Sequence, residues 1–90
     1  MSDETMNVLD YFYSRCGQMI APAGKLPSVW RAEVEPHLRA ISIDSPCGRD
    51  CQTAIDGVAQ VIDTLGLRGT LEGGILVKYL SRAVAVLVLG

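Results

Sequence analysis

The sequence predicts an all-α fold, a small four-helix domain, and three observations predict it. Apolar residues recur at intervals of three and four over most of the chain. Proline and glycine joints interrupt that pattern near Pro22 and Gly24, at Pro46, and from Gly66 to Gly74. Ser, Asp or Thr stands where a helix start needs an oxygen to accept free backbone amides.

The first helix is expected to draw its cap from Ser2, Asp3 and Glu4, with Val8, Leu9, Phe12, Cys16, Met19 and Ile20 on one face. It should end by Ala21, because the residue before Pro22 resists the helical region. Gly17 is its weak point, costing roughly 1 kcal/mol against alanine. The second helix opens at Pro27 and Ser28, with Ser28 as cap and Trp30, Val34, Leu38 and Ile41 repeating on its inner face. Arg31, Glu35 and Arg39 form i,i+4 partners across Pro36, which favours one helix kinked at Pro36 over a turn and a fresh helix starting there.

The third helix has the clearest limits. Asp44 or Ser45 can cap it, Pro46 suits its first position, and Gly66 stands where a C-terminal glycine belongs. Cys51, Ala54, Ile55, Val58, Val61, Ile62 and Leu65 form its apolar face, and Asp56 and Asp63 lie on the solvated one. After a flexible joint ending at Thr70, the fourth helix sets Leu76, Leu80, Ala83, Val84 and Leu87 toward the core, with Lys78, Ser81, Arg82 and Ala85 opposite. An alternating strand through Val84, Val86 and Val88 is the competing reading of this last run, and helical spacing is the better match.

Composition narrows the function classes. Ninety residues, 49% hydrophobic and 20% charged, supply one core and one domain, residues 1–90, far from the composition of disorder. The net charge is −2 and the eight basic residues are scattered, so no stripe gathers toward phosphates and nucleic-acid binding is disfavoured. The acidic start, Met1 to Thr5, is unlike a signal peptide. The longest apolar stretch, Ile75 to Leu89, carries Lys78, Ser81 and Arg82 and falls short of the ~20 residues that span a bilayer. A soluble, cytoplasmic protein is therefore expected, with no membrane partner and with its three cysteines reduced.

Few residues are arranged for chemistry. Cys47-Gly-Arg-Asp-Cys51 sets two thiols one turn apart at a helix start, where negative charge is stabilised. Core packing explains them more simply, since a free cysteine behaves as a small hydrophobe. Cys16, His37, Cys47 and Cys51 hold the donor atoms of a Cys₃His zinc shell, but the spacing matches no finger or ribbon. His37, the single histidine, has no evident nucleophile or orienting carboxylate. The Gly66 to Gly74 joint lacks the lysine and hydroxyl of a phosphate loop. No catalytic set, resident metal or cofactor is expected.

What stands out is surplus apolar surface. Twelve of the fifteen residues from Ile75 to Leu89 are apolar, and a terminal bundle helix hides only one stripe. Ile75, Tyr79, Val86, Leu87 and Leu89 are the expected contact residues, either for a symmetric homodimer or for another protein. The reading that follows is a non-catalytic protein–protein interaction module, a small regulatory inhibitor or anti-activator. Two classes stand as alternatives. One is a helix-turn-helix-like DNA-binding regulator exposing Val77, Lys78, Ser81 and Arg82, and the other is a small thiol or zinc protein.

Overall fold

A computed structural model describes residues 6–20 and 26–90. These residues form five helices in the order α1 (Val8–Ile20), α2 (Ser28–Glu33), α3 (Glu35–Arg39), α4 (Pro46–Leu65) and α5 (Leu71–Leu89). The expected cap at Ser2 to Glu4, the stop near Ala21, Pro22 and Gly24, and the Ile20 side chain lie outside what is described. The cap observed on α1 is Asn7, whose Oδ1 accepts from the Asp10 amide at 2.8 Å.

The helix expected across Pro36 is divided in two. Proline offers no N–H to the Ala32 carbonyl and its ring crowds that oxygen, so the chain breaks at Val34. Two hydrogen bonds carry the helical direction through the break, Val34 N–H to the Trp30 carbonyl at 2.7 Å and Leu38 N–H to the Val34 carbonyl at 3.0 Å. Ser28 is not a cap either. The N-cap is Pro27, with no side-chain bond, and Ser28 is the first helical residue.

The two long helices begin and end as their residues dictate. The Ser45 side chain accepts from Gly48 N–H, and Pro46 follows at the first turn. Gly66 closes α4 in the left-handed region at φ 67°, where a side chain would be strained. Thr70 starts α5, its hydroxyl accepting from Gly73 N–H at 3.1 Å. The final run, residues 83–89, is helix rather than strand.

α4 packs against both α5 and α1, and α3 covers the open side between α1 and α5. The core draws Val8, Leu9, Phe12, Cys16 and Met19 from α1, Val34 and Leu38 from the α2–α3 segment, Cys51, Ile55, Ala59 and Ile62 from α4, and Val77, Leu80 and Val84 from α5. A contact between segments far apart in sequence completes the frame. Val8 N–H reaches the Ile41 carbonyl at 2.9 Å and Ile43 N–H reaches the Met6 carbonyl at 3.2 Å, so the approach to α1 pairs with the approach to α4.

Polar ties join the helices at the edge of the core. Asp56, expected on a solvated face, accepts from the Tyr11 hydroxyl and lies 3.3 Å from Arg15 Nε. Asp63 pairs with Arg68 at 2.5 Å. The Tyr13 hydroxyl donates to Glu35, linking α1 to α3. Burial, together with the adjacent Glu35 carboxylate, pushes Tyr13 from 10.0 up to about 12. Burial likewise raises the Cys16 and Cys51 thiols from 9.0 to about 11.

All three groups hold their protons more tightly when folded, so their contribution is complete at neutral pH and is lost as pH rises through these ranges. Stability should therefore fall progressively from pH 9 to pH 12. Tyr13→Phe should flatten the upper part of that fall. Tyrosinate absorbance followed together with far-UV circular dichroism checks this, and a helix signal indifferent to tyrosine ionisation contradicts it.

Candidate interaction surface

The inner face of α5 is rotated from the expected one. Gly73, Gly74, Val77, Leu80, Ser81 and Val84 are buried, Leu76 is half-buried, and Ala83 and Leu87 are exposed. Ser81, expected outside, turns inward. Its hydroxyl donates to the Lys78 carbonyl at 2.9 Å, and its own carbonyl accepts from Trp30 Nε1 at 3.3 Å. The cause is packing on two sides at once. α5 rests on α4 and also meets α1 and α3, and at Ser81 the small side chain leaves the backbone carbonyl open to Trp30.

This rotation carries apolar side chains into solvent. Tyr79 is 64% exposed and Val86 66%, and Ile75, Leu87 and Leu89 are exposed as well. The five do not form one patch. Helical spacing sets Leu87 with Leu76, Leu80 and Ala83 on the side of α5 nearest α4, Tyr79 and Val86 on the outer side, and Ile75 beyond them toward Arg82. Leu89 falls with Lys78 and Arg82 on a different side.

The other half of the surface comes from α4 and was not anticipated. Val61 and Leu65, expected in the core, are 46% and 63% exposed. Ile55, Ala59 and Ile62 define the buried side, so the expected apolar stripe was too wide for the cover available. Between the helices runs an open groove of about 460 Å³, lined by Thr53, Ala54, Gly57, Val58, Val61, Leu76, Tyr79, Leu80 and Ala83. A shallower hollow of about 330 Å³ continues it past Gly57 and Val61 to Leu65. No charged side chain lines either one. The signal for the α4 half was present in the sequence as an apolar stripe wider than one neighbour can cover.

The groove can take apolar side chains. It offers no nucleophile paired with a base, and its polar groups are the hydroxyls of Thr53 and Tyr79, with Gln60 and Thr64 along the hollow.

The remaining candidates are dispersed. Cys16 and Cys51 are buried, His37 is exposed on α3, and Cys47 is half-buried with its S–H directed at the Leu87 carbonyl, 3.8 Å away. Among the described residues no three His, Cys, Asp or Glu side chains are grouped to hold a metal ion. Burial keeps the Cys16 and Cys51 thiols protonated at neutral pH, the opposite of what a reactive thiolate requires. Of the four side chains expected on a DNA-reading helix, Val77 and Ser81 are buried, and only Lys78 and Arg82 reach solvent. Among the described residues no helix is long and apolar enough to cross a membrane. Compared with protein-family models, curated proteins and solved structures, the chain matches none of them.

Proposed function

We propose that this chain is a non-catalytic protein–protein interaction module, acting in the cytoplasm as a small regulatory inhibitor or anti-activator through the outer face of α4 and α5. One observation carries the reading. Exposed apolar side chains from two adjacent helices gather at an uncharged groove, Val61 and Tyr79 lining it and Leu65 lining the hollow that continues it, with Val86 exposed on the outer side of α5. Isolated apolar residues on a surface need no explanation, but a contiguous patch of several hundred Å² rimmed by polar groups marks a contact site. Ordered helices on both sides keep the groove preformed, which lowers the entropy lost on binding.

Paired variants test the reading. Val61→Asp sets a charge in the groove, and Val29→Asp places the same charge on α2, at a residue 64% exposed and outside the groove lining. Both positions are exposed, so both variants should fold. Proteins recovered from the source cell on the native chain and on Val29→Asp should fall more than about tenfold on Val61→Asp, the loss expected when a charge replaces an apolar contact. Equal recovery on all three would remove this face from the function.

A further inference from the structure

We infer that the occupant of the α4–α5 face is a second copy of this chain, the two hairpins meeting across a two-fold axis near Gly57 and Ala83. The inference rests on the reading of that face as a contact surface and names what covers it until a regulatory target takes the second copy's place. Area is the first argument. The exposed fractions of Val61, Leu65, Ile75, Tyr79, Val86 and Leu87 amount to on the order of 600–700 Å² per copy, close to one partner's share of a standard interface.

Shape is the second argument. A two-fold contact requires one surface to carry both the projection and the hollow that receives it. Here Tyr79 projects from the same face on which Ala54, Gly57 and Ala83 leave a low floor. Turning the face upon itself brings each Tyr79 over the other copy's floor. Small residues at the axis let the helices approach to the 8–10 Å typical of tight helix packing.

Charge is the third argument. Self-association across an axis sets every group near its own duplicate, so a charge at the centre would repel itself. The groove lining holds none, and the cations Lys78 and Arg82 stand on the other side of Tyr79, at the rim of the face, in a hollow they share with Ile75 and Tyr79. A partner chosen by charge would instead call for a charged lining.

Sedimentation equilibrium, with far-UV circular dichroism as the check on folding, tests the two-fold. The native chain and Val29→Asp should sediment at twice the chain mass. Ala83→Asp should sediment at the single-chain mass with unchanged helix content, its self-affinity reduced more than about 100-fold. Ala83→Cys in a Cys47→Ser background places two thiols beside the axis and should form a covalent pair under mild oxidation, which Cys47→Ser alone, with Cys16 and Cys51 buried, should not.

A native chain at single-chain mass overturns the inference, as does a doubled mass that survives Ala83→Asp. Should Ala83→Asp lose helix content, the Ala83→Cys pair decides alone, its formation supporting the axis and its absence overturning it. A single-chain mass combined with partner recovery that Val61→Asp abolishes would end the self-contact and leave the regulatory reading standing. A dimer lost in Ala83→Asp, with no partner recovered on any variant, would do the reverse.

Discussion

Gly48→Ala should destabilise the fold by roughly 3 kcal/mol, at the upper end of what overpacking a filled site costs, although helix propensity alone gives alanine an advantage of about 1 kcal/mol there. Gly48 sits in the first turn of α4 and is buried. A Cβ built on it would fall 2.7 Å from the Ile43 Cα and closer still to the Ser42 carbonyl oxygen. Both neighbours are backbone, so no rotamer change relieves the clash.

The oxygen is also held in place. It accepts from Ser45 Oγ at 2.7 Å and from Ser45 N–H at 3.1 Å, while Ile41 and Ile43 on either side are bonded to the chain leading into α1. Moving it would cost the α4 cap and the pairing between the two approaches together. For a domain of this size the loss corresponds to a fall in melting temperature of more than about 10 °C.

Gly17→Ala supplies the contrast. Gly17 is also helical, yet nothing lies within 4 Å of its added Cβ, so that variant should be stabilised by up to about 1 kcal/mol. Thermal and urea unfolding of the two variants should therefore move in opposite directions. A Gly48→Ala protein as stable as the native chain would show that the segment from Ile41 to Ser45 is free to shift.

The features legible in the sequence were those written in local chemistry. Ser45, Pro46, Gly66 and Thr70 each act within one turn of their own position, and the limits of α4 and α5 follow from them. Local pattern failed where the outcome depended on a distant neighbour. The Arg31, Glu35 and Arg39 stripe favoured one helix kinked at Pro36, but Glu35 instead accepts from Tyr13 of α1, and the missing Pro36 amide decided the division into α2 and α3.

The phase of α5 was illegible for a different reason. A helix apolar on nearly every side carries little information about which side faces inward, and here contacts with α4, α1 and α3 together decide it, burying the small residues Gly74 and Ser81. Ile75, Tyr79, Val86 and Leu89 are exposed as the pattern implies, whereas Leu87, which the same pattern also sets toward the core, is 44% exposed. The continuation of the exposed surface onto Val61 and Leu65 was missed, because the wide stripe on α4 was assumed to be covered all the way across.

Trp30→Ala should be the most damaging of the large-to-small changes, costing about 3–5 kcal/mol. Trp30 is 7% exposed and is the single buried residue of α2. A helix of six residues without a side-chain cap has no stability of its own, so its position rests on tertiary contact. That contact is concentrated in the indole. Its ring lies 5.5 Å from Phe12 and 6.5 Å from Tyr13, the latter edge-on, and Nε1 donates to the Ser81 carbonyl across the core.

Removing the ring takes the aromatic partner from α1 and the one hydrogen bond from α2 to α5 in a single step. Trp30→Phe separates the two contributions, since it keeps an aromatic ring against Phe12 and gives up the N–H. It should cost about 1 kcal/mol beyond the area lost, the usual net worth of a neutral hydrogen bond, because the Ser81 carbonyl keeps its place inside α5. Urea unfolding followed by circular dichroism measures all three chains on one scale. Hydrogen exchange on Trp30→Ala should show protection lost first between Val29 and Arg39 while α4 retains it. Loss spread evenly over every helix would mean that α2 is as strongly held as the rest, and that the indole is one core residue among many.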